Sequence, residues 1–438
     1  MKRVSASQDA RVDAVRALCA VLKGKLRSTE AVSILVSKYE DERDARLLHE
    51  LVMGVLRRRL YLLAQIQATL RGSVEDLPQE VTETLLCLAY QAFFLSKVPP
   101  YAVVSESVKA VRHLGFPSFA PLVNAVGRKI VAGLPAPDLR LDDKVFYSLP
   151  NHIYSKICDC LERIPTKQEL ERLNMPVKPV FRVNVAVTDQ SELIEELKKQ
   201  GIDAKPCRFA PHGVEVSDVY KVFRGGFVPR FMLPQDEASQ LVVTALDPNN
   251  CDEILDLCCG TGIKTSYILG LAPRAKVVSV DSSATRLKRL VELCNVMGIS
   301  QPKTLCHDAK SLPQHFYGRF DKVLLDAPCS GIGTLRRRPE VRYLRSQDDI
   351  KRNQSLQVEL LLSAANALKD GGSLVYAVCS FAKEEGEEVL RKVLDARPSL
   401  EVEGFEMPSP MSKGKVFQSL PWEHEMDGFF IARLRKKG

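Results

Sequence analysis

No two of the twelve cysteines are spaced as CxxC, and the nearest neighbours are Cys158/Cys160 and Cys258/Cys259. Structural zinc sites draw on two-residue spacers, so no metal is expected. No apolar run is long enough to span a bilayer. The opening "MKRVSASQDARVDAVR" lacks the apolar centre of a signal peptide. Many unpaired thiols in such a chain point to a reducing cytoplasm, with most of them acting as small buried apolar groups. Two nucleotide-loop motifs are missing as well. In "CCGTGIKT", Thr265 stands where a dinucleotide fingerprint needs its third glycine. Ile263 separates Gly262 from Lys264, which a phosphate-binding P-loop keeps adjacent.

What is present is a chain of 438 residues, enough for two to three domains. Its 45% apolar and 26% charged content is ordinary for a globular protein, and its net charge of +8 suits a polyanionic partner without requiring one. Residues 1–135 read as a helical bundle: Val12, Val15, Leu18, Cys19 and Leu22 repeat at helical spacing, and Gly72, Pro99, Pro100, Gly115 and Pro117 punctuate the helices. "LPAPDLRLDD" is a proline-bearing linker. Residues 140–225 alternate helix and strand, with "TKQELERLN", "VFRVNV", "SELIEELKKQGI" and "GVEVS", as in a small α+β module. From 226 to 438, strands and helices alternate as in a parallel doubly wound sheet, and "DGFFIARLRK" closes it as an antiparallel edge strand.

Three successive strands of this last region end in an acid: Asp256, Asp281 and Asp308. Ligands of open parallel sheets lie at the carboxyl ends of the strands. The turn after the first acid is Cys258, Cys259, Gly260, Thr261, Gly262, Ile263 and Lys264. An acid followed by glycines that admit a ligand close to the backbone suits the cationic cofactor S-adenosylmethionine. Asp281 takes the ribose position and Asp308 comes within reach of the adenine amino group.

Two further strands end in a thiol, in "DKVLLDAPCSGIGT" (Cys329) and "GGSLVYAVCSF" (Cys379). Strand ends on one edge share a cleft, so both thiols reach one substrate. A methyl donor beside two thiols suits methylation at carbon 5 of cytosine. A thiolate adds to carbon 6, carbon 5 becomes nucleophilic, and a second group removes the carbon 5 proton. Asp326 is placed to protonate the ring near N3. The base must be single-stranded or extruded to enter the cleft. The clusters Arg57–Arg59 and Arg336–Arg338 are candidates for phosphate contact, and Tyr343 and Phe381 for base stacking.

At these residues the chain resembles the bacterial RsmB/Sun family of 16S ribosomal RNA (cytosine-C5) methyltransferases over nearly its whole length. "ELVMGVLRRR", "LLCLAYQAFFL" and "PLVNAVGRK" resemble a NusB-type RNA-binding domain, and "DAPCSGIGTLRRRPEVRY" and "YAVCSFAKEEGEE" the family's two cysteine motifs. The resemblance implies an all-α NusB-like bundle, an α+β linker module and a Rossmann-like methyltransferase domain. It makes Cys379 the nucleophile and Cys329 the helper in release, and places residues 258–264 around S-adenosylmethionine, with Asp326 facing both methyl donor and base. It implies a cytoplasmic monomer acting on free or partly assembled 16S RNA. The family's usual Cys-Ala-Ala-Pro-Gly-Gly-Lys loop is here "CCGTGIK", Val378 replaces a threonine before the second cysteine, and "EGE" (Glu385, Gly386, Glu387) replaces Glu-Asn-Glu. A transfer RNA cytosine-C5 methyltransferase and a non-enzymatic antitermination-type RNA-binding factor are the competing readings. The NusB-like bundle counts against the first, the catalytic set against the second.

Overall fold

The computed structural model describes residues 9–133, 141–406, 412–413 and 415–438. Residues 1–8 at the chain start and 134–140 of the proline-bearing linker lie outside the described residues. The chain forms two compact units, Met1–Met175 with Leu335–Ser346, and Pro176–Thr334 with Gln347–Gly438.

The first unit is helical: α1 (Ala10–Leu22), α2 (Ser28–Val36), α3 (Glu42–Gln67), α4 (Gln79–Phe94), α5 (Pro100–His113), α6 (Ala120–Val131), α7 (Asp143–Phe146), α8 (Asn151–Leu161) and α9 (Lys167–Arg172). Asp9 caps α1 by accepting from Arg11 N and Val12 N, satisfying donors that the first helical turn leaves free. Leu18, Leu48, Val55, Leu85, Leu88 and Val123 fill its core. Helices α7 to α9 group with this unit, so the division falls at Met175/Pro176 and not near residue 140, where the sequence places the start of the α+β module.

The second unit opens with β1 (Val180–Val183), α10 (Gln190–Lys199), β2 (Ala204–Pro206), β3 (Gly213–Val216), α11 (Val219–Arg224) and β4 (Met232–Pro234). These strands form an antiparallel sheet in the order β2-β3-β1-β4, which runs past residue 225. Then follow α12 (Glu237–Leu246), β5 (Glu253–Leu257), α13 (Ile263–Leu271), β6 (Lys276–Asp281), α14 (Ala284–Met297), β7 (Lys303–Cys306) and β8 (Phe320–Asp326). Here the chain leaves for the first unit, where α15 (Val341–Leu344) lies. It returns as α16 (Gln347–Ala367), β9 (Leu368–Val378), α17 (Glu387–Ala396), β10 (Leu400–Glu403), β11 (Ser412–Lys413), β12 (Val416–Gln418) and β13 (Phe430–Lys436).

The large sheet runs β11-β12-β13-β9-β8-β5-β6-β7, with β7, β6, β5, β8 and β9 parallel. Side chains alternate across it. Leu255, Leu257, Val323, Leu325 and Leu374 enter one core, while Ile254, Leu324, Val375 and Ala377 enter the other. Both faces are therefore covered, as parallel sheets require. Strand β13 pairs antiparallel with β9, but it is not the edge strand the sequence suggests. β12 and β10 share its far side end to end, at Phe430–Ala432 and Arg433–Lys436.

The excursion overturns the expected role of Arg57–Arg59; in the second cluster, Arg336 is buried and Arg338 pairs with Glu340 at 3.5 Å. Arg342 is fully buried and donates to Arg57 O (3.1 Å), Leu173 O (2.7 Å) and Asn174 Oδ1 (2.7 Å), with Tyr147 O and Ser148 O each at 3.3 Å. Arg57 is itself buried and donates to Arg336 O at 3.4 Å. Arg59 forms a bidentate pair with fully buried Glu83, both bonds 2.7 Å, and Arg58 pairs with Glu171. These cations serve backbone carbonyls and carboxylates inside the unit. The Tyr343 hydroxyl donates to Leu56 O at 2.9 Å in the same unit. Phe381 is buried edge-on against Trp422, with ring centroids 5.0 Å apart, so it too is core and not a free stacking platform.

Candidate active site

Strand order reverses between β5 and β8, and the loops leaving their carboxyl ends flank that switch point. The loop after β5 curls tightly: Cys258, Gly260 and Gly262 have φ of +59°, +60° and +85°. At Gly262 a side chain is doubly disfavoured, because a Cβ would also lie 2.4 Å from Leu290 Cγ. Ile263, which stands where the family's loop has a second glycine, is the first residue of α13.

Asp281 braces this loop from the end of β6. One carboxylate oxygen accepts from Gly260 N at 3.0 Å and the other from Ser283 N at 2.9 Å. Asp256 is buried, accepts from Thr265 Oγ1 at 2.5 Å, and leaves its Oδ1 without a partner. Burial pushes its carboxyl up to about 7. Asp308 is more exposed and accepts from Lys310 N at 3.0 Å. Lys264 reaches from α13 to Asp326 at the end of β8, Nζ to Oδ2 2.6 Å, and its ammonium sits 5.5 Å from the centre of the Phe429 ring.

The Cys258 thiol reads out the local field. It is pushed up to about 12, first by burial and then by Asp281, Asp326, Asp256 and Asp308. Four acids therefore converge on one loop. That concentration of negative charge fits a cationic ligand such as a sulfonium with its ammonium group, and the glycine turn lets the ligand approach the backbone.

The two strand-end thiols meet. Cys329 Sγ and Cys379 Sγ are 3.0 Å apart, both half-buried and both unoxidised. The hydrogen bond with Cys379, then burial, hold the Cys329 thiol well above its ordinary range, with Glu385 and Asp326 adding to the shift. The strand ends are tied together by Ala327 N donating to Ala377 O at 2.9 Å, and the loops by Gly333 N donating to Cys379 O at 3.0 Å.

Several residues in this arrangement escaped the sequence reading. Glu385 accepts from Ser330 N and Ser330 Oγ, and Gln357 donates to Pro328 O, so both neighbours of Cys329 are held. Arg182 of β1 is buried, donates to Ile263 O and Ser266 Oγ at 2.8 Å each, and lies 4.6 Å from the Tyr267 ring centre. It pins the first turn of α13, and burial pulls its guanidinium down to about 9. An arginine within the otherwise apolar strand "VFRV" was the available signal.

A family model for 16S rRNA methyltransferase RsmB/F matches residues 243–435, and one for the NusB family matches residues 8–132. The fold is shared with the crystal structure of PH0851, at a TM-score of 0.85 and 24% identity over 99% of this chain and 100% of that one. It is shared also with NSun6 from Pyrococcus horikoshii with SFG, at a TM-score of 0.58 and 22% identity over 66% of this chain and 98% of that one. The helical bundle joined to this sheet, with its acid-ringed glycine loop, defines a methyltransferase of the kind these family models describe. A Vibrio cholerae protein, ribosomal RNA small subunit methyltransferase B, is 33% identical over 403 residues, covering 90% of each chain. The chain belongs to this ribosomal RNA small subunit methyltransferase B family. Among the described residues, no helix is long and apolar enough to cross a membrane.

Proposed function

We propose that this protein methylates carbon 5 of a cytosine in 16S ribosomal RNA, with Cys379 as the nucleophile and Cys329 as the base that frees the product. The observation that carries this reading is the contact of the two thiols, 3.0 Å apart, on the strand end next to the Lys264–Asp326 pair. The RNA substrate is argued from the family and from the name of the Vibrio cholerae relative.

Cys329 keeps its proton in the resting site, 3.0 Å from the Cys379 sulfur that acts as the nucleophile. That thiolate adds to carbon 6 of an extruded cytosine, and charge spreads onto the ring as far as N3. The Lys264–Asp326 pair, 2.6 Å apart, supplies a proton there. Bound S-adenosylmethionine supplies the methyl group that carbon 5 then takes. The loop of Cys258, Cys259, Gly260, Thr261, Gly262, Ile263 and Lys264 would hold it, with Asp281 toward the ribose and Asp308 toward the adenine.

Bonding carbon 6 turns Cys379 into a thioether. The charge and hydrogen bond that held the proton on Cys329 are then gone, so Cys329 gives that proton to solvent and, as a thiolate, becomes a competent base only in the covalent intermediate. It takes the carbon 5 proton, the carbon 6–sulfur bond breaks, and the N3 proton returns to the Lys264–Asp326 pair.

Bisulfite mapping of 16S RNA from cells with and without the protein tests the substrate. One protected cytosine that depends on the protein is expected. Protection in transfer RNA alone would transfer the same chemistry to another substrate and overturn the 16S assignment.

A further inference from the structure

We infer that Glu385 is a positioning residue that clamps the Cys329 loop against Cys379 and so controls release of the methylated base, an inference that rests on the covalent reading above. Glu385 is fully buried and follows Cys379 by six residues, yet its carboxylate turns to the other cysteine loop. Oε1 accepts from Ser330 N at 2.7 Å and Oε2 from Ser330 Oγ at 2.5 Å. Gln357 of α16 completes the clamp, with Nε2 donating to Pro328 O at 2.8 Å and lying 3.4 Å from Glu385 Oε1. Cys329 is thus held through the residues on both sides of it, one directly by Glu385 and the other through Gln357. The backbone oxygen of Glu385 accepts from the Tyr376 hydroxyl at 2.5 Å, which ties the clamp to β9, the strand that delivers Cys379.

The donors to the Glu385 carboxylate are an amide, a hydroxyl and a carboxamide, all neutral. Its charge is therefore felt locally, and it opposes ionisation of Cys329 together with Cys379 and Asp326, the last paired with Lys264. Tyr376 also faces this cluster, and burial keeps its hydroxyl protonated. Glu385 touches no reacting atom. It acts through Cys329, by geometry and by charge.

The test compares E385A, E385Q and C329A in the full chain, with 16S RNA and labelled S-adenosylmethionine. Loss of the clamp displaces Cys329 by a fraction of an ångström or more, and E385A is expected to turn over about 100-fold more slowly. Like C329A, it should accumulate a covalent RNA–protein adduct on denaturing gels. E385Q retains an acceptor for Ser330 N, so it should recover most of the turnover, with the rise of rate with pH moved to lower pH because Cys329 ionises more easily. An adduct with C329A but none with either Glu385 variant, together with an unmoved pH profile, overturns the inference and leaves the covalent reading intact. No adduct with C329A and undiminished methylation by C379A would instead overturn the covalent reading itself. Should E385A not fold, the pH profile and adduct level of E385Q decide alone.

Discussion

Gly333, in the Cys329 loop, packs against the backbone of Gly428 and of Cys379 with no room for a side chain. A Cβ there would lie 1.9 Å from Gly428 O, 2.7 Å from Gly428 C and 2.9 Å from Cys379 O. All three are backbone atoms, so no rotamer change relieves the clash. Ordinary contact begins near 3.4 Å, so the G333A substitution must part the segments by roughly 1.5 Å. Two bonds are lost in doing so, Gly428 N to Gly333 O at 2.8 Å and Gly333 N to Cys379 O at 3.0 Å. At about 1 kcal/mol for each bond and about 1–3 kcal/mol for overpacking, the cost is about 3–5 kcal/mol. Because Cys379 O is one of the atoms displaced, the thiols lose their register, and a shift of about 1 Å costs about 100-fold in rate. The assay is transfer of a labelled methyl group to 16S RNA, with calorimetric binding of S-adenosylmethionine as control. Turnover should collapse while cofactor affinity holds, since Gly333 lies outside the Cys258–Lys264 loop. Full turnover by folded G333A would refute the idea that this contact sets the spacing of the thiols.

The G262A substitution forces a left-handed φ on a residue with a Cβ and drives it into Leu290; at about 1–2 kcal/mol for the backbone alone, cofactor affinity measured by calorimetry should fall about tenfold or more. Replacing Arg342 by methionine removes a donor from five oxygens around a buried site, of which Tyr147 O keeps Asn174 Nδ2 and Ser148 O keeps the Tyr343 hydroxyl. That should cost about 3–5 kcal/mol and lower the melting temperature of the helical unit by about 10 °C. Asp256 titrates at about 7 in the fold against 3.8 when unperturbed. A buried acid whose folded value is raised binds its proton more tightly in the native state, so it loses stability as pH rises from about 4 to about 7. The D256N variant should therefore unfold at a higher temperature than the parent at pH 8, with the gap closing toward pH 4. A gap that is constant with pH would show that Asp256 is ionised throughout.

The architecture was legible because strand ends carry their own punctuation. Asp281 ends β6, Asp256 is the last residue but one of β5, and Asp308 lies two residues past β7, so an acid sits at or beside each of three successive strand ends, and a glycine-rich turn follows the first. The contact between Cys329 and Cys379 follows from the same logic, since β8 and β9 are neighbours and parallel. Arg57–Arg59 were misread for a physical reason. Charge runs in sequence usually mark solvated faces, but Leu335–Ser346 leaves its own sheet to join a unit built from residues far earlier in the chain. Local spacing carries no trace of that path. Glu385 was hidden similarly: nothing in "EEGEE" distinguishes the one fully buried glutamate that turns inward to Ser330 from its more exposed neighbours. The placement of β13 inside the sheet depended on β10 and β12, two short strands with weak alternation.

The covalent assignment is tested most directly by peptide mapping of the adduct that C329A forms with 16S RNA and S-adenosylmethionine. The expected product is a methylated cytidine joined through carbon 6 to Cys379 and to no other cysteine. An adduct on a different residue, or full methylation by C379A, would contradict it.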